Sequence, residues 1–152
     1  MKCSNARIFT MAVVSAFVLG IAPTAKAQVN RGCSNVTLNG TYARTDSGFV
    51  TAPPAIAGPL AGVSTVNFDG NGGTSGAGMS SLNGNISSST FTGTYTVNSD
   101  CTGTYTTLSN TGRTSTAFFV IADNGNELHI VVTSPNTVLN CTARKLYPGR
   151  II

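Results

Sequence analysis

Acid–base chemistry needs a titratable pair, and the 152-residue sequence offers one at Glu127 and His129. These residues are two positions apart, so in a strand both side chains point to the same face. A carboxylate beside an imidazole can orient a general base. A Glu-x-His pair without a positioned nucleophile is weak evidence for a site, and the turn at Asn124-Gly125 places both residues on the outer face of a barrel. The sequence therefore predicts no catalytic residues and favours a non-enzymatic protein.

Thiol chemistry is limited to three cysteines beyond the N-terminal leader described below: Cys33, Cys101 and Cys141. In an oxidising compartment an odd count indicates one disulfide and one further thiol. Cys33 with Cys101 is the favoured pair, since it would pin the N-terminal segment to a central hairpin turn. Cys33 with Cys141 is the alternative, because a closed barrel brings its first and last strands together. The sequence has no CxxC motif and a single histidine, so we expect no metal site. It also has no phosphate-cradling loop, so we expect no cofactor.

The first 27 residues have the pattern of a secretory signal peptide. Lys2 and Arg7 precede an apolar run over residues 8–22, and Ala25-Lys26-Ala27 carries the small residues that a signal peptidase inspects. The apolar run is too short for a comfortable membrane span. The sequence therefore predicts a leader at 1–27, a single domain at 28–152 that spans no membrane, and a secreted or periplasmic location.

The net charge argues against nucleic acid as a partner. The formal charge of +4 includes Lys2, Arg7 and Lys26 of the leader. Six basic residues against five acidic ones leave only +1 for residues 28–152. No basic stripe interleaved with aromatic residues is present, so we expect no nucleic-acid binding.

The elements that must position any site are strands, and the clearest is the hairpin of residues 91–108. Its first arm alternates Phe91, Gly93, Tyr95 and Val97 with threonines, which is typical of a half-buried strand. A three-residue turn at 98–100 predicts that Tyr95 lies opposite Gly103 and that Tyr105 lies opposite Gly93, so that each tyrosine ring covers a glycine. The alternative register places Tyr95 opposite Tyr105.

Turn dipeptides divide the rest of the domain into short strands without a helical crossover. Strands are predicted at 35–44, 62–68, within 74–83, in the two arms of 91–108, and at 114–122, 127–133 and 138–146. The proline-rich segment 49–60 is predicted to be a loop. Eight sequential strands favour an all-β fold, a single antiparallel up-and-down barrel, with a β-sandwich as the alternative.

Four motifs carry a resemblance to known proteins: LNGTY at 38–42, NFDGNG at 67–72, TGTYTVNSDCTGT at 92–104 and FVIADNGNELH at 119–129. They resemble a group of small secreted, largely uncharacterised bacterial proteins. At the level of fold, such barrels are similar to calycins and allene oxide cyclase-like barrels. This resemblance implies either a ligand-binding barrel or, as an alternative, a cyclase-like enzyme that uses the same cavity; no catalytic motif matches residue by residue.

The function that we expect is a secreted, non-enzymatic barrel that binds a small apolar ligand or acts as an extracellular interaction module. The Gly-x-Tyr repeats could line a ligand pocket, and they could equally pack over glycine gaps that allow the barrel to curve. The residues expected to contact a ligand are aromatic and face inward: Tyr42, Tyr95, Tyr105, Phe91 and Phe119.

The sixth and seventh strands are apolar on both faces, although a barrel exterior is normally polar. The outer face is predicted to carry Phe118, Val120, His129 and Val131. Its cover could be the loop at 52–60 or a second copy of the chain. We expect a homo-oligomer, because interface cores favour charge-poor aromatic and β-branched surface.

Overall fold

The computed structural model describes residues 32–147, which form one closed barrel of eight antiparallel strands. Each strand pairs with the next along the chain, and the first also pairs with the last, which closes the sheet. The strands are β1 Asn39–Val50, β2 Gly58–Asp69, β3 Gly73–Leu82, β4 Asn85–Val97, β5 Thr102–Ser109, β6 Thr114–Ala122, β7 Glu127–Val132 and β8 Thr137–Lys145. The predicted up-and-down barrel is confirmed, whereas the predicted leader lies outside the described residues.

Period-two alternation builds the barrel wall. In β6, for example, Ala117, Phe119 and Ile121 are buried, while Phe118 and Val120 between them face outward. Inward side chains from seven of the eight strands, all except β3, form a continuous apolar core. The largest fully buried side chains of the barrel are those of Tyr42, Phe68, Phe119, Leu38, Leu128, Val50 and Cys141. Complete burial of each large apolar side chain stabilises the fold by about 1.5–3 kcal/mol.

The first strand was predicted to begin too early and to end too soon. Residues Asn35–Thr37 form a short 3-10 helix instead, and the Val36 side chain is 69% exposed. The Ser34 amide donates to Thr37 Oγ1 and the Thr37 amide to the Ser34 carbonyl, so local hydrogen bonds compete with the sheet at this point. At its other end β1 extends beyond the predicted end at Arg44 and stops at Val50, inside the segment that was predicted to be a loop.

The proline-rich loop is also shorter than predicted, because β2 begins at Gly58. The short 3-10 helix Pro54–Ile56 occupies the remaining loop. Pro59 lies near the start of β2, where it pairs with Phe49 of β1. Its carbonyl accepts a hydrogen bond from the Asn83 amide of the β3–β4 turn. The loop therefore lies at the end of the barrel where β3 meets β4.

The favoured register of the central hairpin is wrong, and the alternative is observed: Tyr95 lies opposite Tyr105, and Val97 lies opposite Gly103. The turn is shifted by one residue because Cys101 adopts a left-handed conformation, with φ of 66°. The Cys101 amide donates to the Asn98 carbonyl, and the Asn98 amide donates to the Thr102 carbonyl. Cys101 thereby belongs to the turn rather than to the second arm.

Aromatic rings do cover glycines, although from a different strand than predicted. Gly103 lies opposite Phe119, and a methyl group added to Gly103 would come within 2.6 Å of Phe119 Cε2. Gly76 has the same relation to Phe91, which lies opposite it on β4. A side chain at either glycine would displace the ring, so these glycines make room for inward-pointing aromatic side chains.

One end of the barrel is closed by the N-terminal plug, which we define as residues 33–38. The predicted disulfide is present between Cys33 and Cys101, with their Cα atoms 4.9 Å apart. The alternative pairing with Cys141 is not formed, since Cys141 is a buried free thiol. Leu38, the last residue of the plug, is completely buried. The opposite end of the barrel, where the β3–β4 and β5–β6 turns lie, has no such plug among the described residues.

Candidate functional site

Two charged residues of β1 lie inside the barrel wall. The inward alternation that begins at Tyr42 continues through Arg44 and Asp46, whose side chains are only 13% and 17% exposed. Arg44 Nε lies 2.6 Å from Asp46 Oδ1. Burial of a lone charge is costly, so each residue offsets the other's loss of hydration. The pair forms a nearly neutral polar floor above the apolar core.

The ion pair has further polar neighbours inside the barrel, Cys141 on the adjacent strand β8 and Tyr105 on β5. Arg44 Nη2 donates to the Cys141 thiol, with a distance of 3.4 Å to Sγ, and the guanidinium carbon lies 5.6 Å from the centre of the Tyr105 ring. Burial raises the pKa of the Cys141 thiol to about 12, and burial likewise raises the pKa of Tyr105 to about 12. Both groups are therefore protonated at neutral pH, and a protonated thiol is a poor nucleophile.

Above this floor lies a cavity of about 230 Å³, which we call the mouth cavity. It occupies the unplugged end of the barrel, and Arg44 and Asp46 lie at its base. Small residues of β2, β3 and β4 leave this half of the interior open, whereas large side chains fill the other half. Its remaining lining includes Leu60, Ser64, Gly78, Ser80, Ser87, Ser89, Phe91, Thr107, Ser109, Arg113, Ser115, Val132 and Leu139.

The five residues predicted to bind a ligand are separated by the structure. Phe91 lines the mouth cavity. Tyr105 lines a void of only about 10 Å³ beneath the ion pair, which is about the space of one water molecule. Tyr42, Tyr95 and Phe119 belong to the packed core, where they are at most 3% exposed.

Two of these tyrosines have a clear structural role at the plugged end. The Tyr95 hydroxyl donates to the Leu38 carbonyl at 2.9 Å and lies 3.1 Å from the Asn35 carbonyl oxygen. The Tyr42 hydroxyl donates to the Gly125 carbonyl in the β6–β7 turn. These bonds hold the plug and the turn against the core. The Tyr105 hydroxyl, in contrast, is buried without a hydrogen-bond partner among residues 32–147.

The Glu127–His129 pair lies on the outside of the barrel, as predicted. His129 Nε2 is 3.6 Å from Glu127 Oε1, and Arg144 Nη2 is 3.3 Å from Glu127 Oε2. The His129 and Arg144 side chains are 61% and 74% exposed. Exposed ion pairs of this kind contribute about 0–1 kcal/mol, and none of these three side chains lines the mouth cavity.

The predicted outer apolar face also lies where the sequence placed it, because Val120 is opposite His129 and Phe118 is opposite Val131. Phe118, Val120 and Val131 are between 40% and 49% exposed. The loop at 52–60 does not conceal them, since it lies beside the β3–β4 turn. We call these three side chains the β6–β7 outer patch.

Sequence reasoning missed the Arg44–Asp46 pair and the serine-lined wall of the mouth cavity. The signal for the pair was present, since extending the alternation of Tyr42 by two and four residues gives Arg44 and Asp46. It was missed because charges in a strand normally face solvent or mark its end. The serines gave no comparable signal, as hydroxyl side chains occur on both faces of this sheet.

The described residues contain neither a cluster of metal-binding side chains nor a membrane-spanning helix. Within residues 32–147, no group of three or more His, Cys, Asp or Glu side chains could hold a metal ion. Nor does any helix there have the length and apolar character needed to cross a membrane.

Comparison with protein-family models, curated proteins and solved structures found no match to this chain. The resemblance to secreted bacterial proteins and to calycin-type barrels therefore stays a prediction, and the geometry of the barrel carries the functional argument.

Proposed function

We propose that this protein is a secreted binding barrel that holds a small ligand in the mouth cavity. The observation that carries the proposal is the contrast between the two halves of the interior. One half is packed and sealed by the disulfide-tied plug, and the other contains a cavity of about 230 Å³ at the unplugged end. Ligand sites are concave and combine an apolar lining with a few polar groups, and this cavity has both.

The chemistry of the cavity favours binding over catalysis. The Cys141 thiol, with its pKa raised to about 12, lies beneath Arg44 and is not activated for attack. Among the described residues no imidazole lines the cavity, and its one carboxylate, that of Asp46, is paired with Arg44 at 2.6 Å. A cyclase-like enzyme in the same cavity is the alternative, and it would require turnover that depends on Asp46.

Export from the cytoplasm is part of the proposal. The Cys33–Cys101 disulfide supports it, because disulfides persist mainly in oxidising compartments. The signal-peptide pattern at residues 1–27 supports it independently. A periplasmic and a fully secreted protein would share both features.

A second proposal concerns self-association through the β6–β7 outer patch. Phe118, Val120 and Val131 form an apolar surface that no described segment of the chain covers. In this arrangement the barrel would be an interaction module, and ligand binding and assembly would use different surfaces.

Native mass spectrometry of the protein purified from its own host tests the ligand proposal. We expect an additional mass that is released on unfolding. Ser80→Leu should abolish it, since leucine fills the cavity from β3, whereas Ser47→Leu on the exposed outer face of β1 should retain it. A wild-type protein that carries no bound molecule, or a bound molecule that Ser80→Leu retains, would contradict binding in the mouth cavity.

A further inference from the structure

We propose that the ligand of the mouth cavity is a neutral, polyhydroxylated molecule about the size of one sugar ring. This inference rests on the proposed function and adds the chemical class of the ligand. It replaces the purely apolar ligand expected from the sequence, because polar groups form both the wall and the floor of the cavity.

Hydroxyl groups form much of the wall, beside the apolar side chains of Leu60, Val132 and Leu139. Six inward-facing serines from five neighbouring strands line it, namely Ser64, Ser80, Ser87, Ser89, Ser109 and Ser115. Each hydroxyl can donate one hydrogen bond and accept others, so the wall matches a ligand that itself both donates and accepts. Ser80 Oγ and Ser87 Oγ are 3.3 Å apart across β3 and β4, which leaves each with unused bonding capacity toward the cavity. Ser109 already bonds to the Thr111 hydroxyl and to the Arg113 amide, whereas the other serines keep bonding capacity that a wholly apolar ligand would leave unused once water is displaced.

The floor selects against ligand charge. Arg44 is already neutralised by Asp46, so an anion bound above the pair would meet a carboxylate as well as a guanidinium. Arg44 engages Asp46 through Oδ1, at 2.6 Å from its Nε, so the carboxylate keeps acceptor capacity on Oδ2. A carboxylate oxygen of this kind is a strong acceptor for a ligand hydroxyl. Arg113 at the rim is exposed, so salt screens its attraction for anions.

Phe91 and the cavity volume define the remaining features of the ligand. The half-buried ring of Phe91 lines the cavity beside the serines and gives an apolar face for the C–H groups of a ring. A volume of about 230 Å³ is below the roughly 300–1,000 Å³ of sites for drug-sized ligands. The ligand is therefore compact, with hydroxyl groups around an aliphatic ring.

Titration of the secreted protein by isothermal calorimetry and amide NMR tests the class. The probes are neutral hexoses, pentoses and alditols on one side, and hexanoate and hexanol on the other. We expect a member of the first group to bind and to shift amides around the mouth cavity but not those of the plug. The double variant Ser80→Ala with Ser87→Ala should weaken that binding about tenfold or more, because two ligand hydrogen bonds are lost. Ser47→Ala, on the outer face, is the matched control and should bind like the wild type.

The outcomes separate this inference from the proposed function. If hexanoate or hexanol binds in the cavity and none of the neutral polyols does, the class is wrong although the barrel remains a binding protein. If a sugar binds equally well to the double serine variant, the assigned wall is wrong. If no probe binds, the polyol assignment is overturned, and host-purified protein that also lacks a bound molecule would overturn the proposed function.

Discussion

Three interior tyrosines differ in what their hydroxyl groups contact, and the difference predicts opposite effects of the same substitution. Tyr105→Phe removes a buried hydroxyl that has no partner among the described residues. An unsatisfied buried polar group costs about 1–3 kcal/mol, so its removal should leave the free energy of unfolding unchanged or raise it by about 1 kcal/mol. The aromatic contacts of the ring, including its stacking on Phe119, would be retained.

Tyr95→Phe and Tyr42→Phe are the matched controls. The Tyr95 hydroxyl donates to the carbonyl of buried Leu38, and the Tyr42 hydroxyl donates to the Gly125 carbonyl. Each substitution leaves a buried acceptor without its donor, so each should lower the free energy of unfolding by about 1–3 kcal/mol. Urea denaturation of the three variants under identical conditions gives the comparison. A Tyr105→Phe variant that loses as much stability as Tyr95→Phe would refute the argument, because the Tyr105 hydroxyl would then be hydrogen-bonded in solution.

The remaining predictions concern the thiols and the outer surface. Burial raises the pKa of the Cys141 thiol to about 12 in the folded state, whereas an ordinary thiol has a pKa near 9. Between these two pH values the unfolded state binds fewer protons than the folded state. The free energy of unfolding should therefore fall as the pH rises through this window. Cys141→Ala should flatten that fall in urea titrations at pH 8–11, and an unchanged slope would contradict the burial argument. Cys33→Ser with Cys101→Ser should lower the free energy of unfolding by about 2–4 kcal/mol, whereas a loss below about 0.5 kcal/mol would mean that the plug is held without the disulfide. Phe118→Ser with Val120→Ser should convert an oligomer into a monomer by light scattering, and a monomeric wild type would contradict self-association through the β6–β7 outer patch.

The fold class could be predicted from the sequence because its determinants are local. Alternation of inward and outward residues is visible within each strand, and Asn, Asp and Gly mark the turns between strands. The observed β6 has the predicted bounds, Thr114–Ala122, and its pairing with β7 is the predicted one. The Cys33–Cys101 pair could also be favoured in advance, since only chain order and a turn position were needed.

The hairpin register could not be fixed in the same way. Two registers satisfy the same alternation, and the choice between them depends on whether Cys101 belongs to the turn or to the strand. That choice is made by its left-handed backbone and by the bond to Cys33, 68 residues away in the sequence. Local pattern carries no information about such a distant constraint.

The candidate site depended most strongly on tertiary structure. The sequence determined that inward and outward residues alternate along β1, but not that the alternation continues through Arg44 and Asp46. A charged side chain is stable inside a barrel only if other groups pair with it or hydrogen-bond to it, and some of those groups are distant in the sequence. Closure of the sheet brings β8 beside β1 and places Cys141 within 3.4 Å of Arg44, across a separation of 97 residues. The mouth cavity arises in the same way, since small side chains from β2 to β6 make an open space only when the barrel sets them face to face.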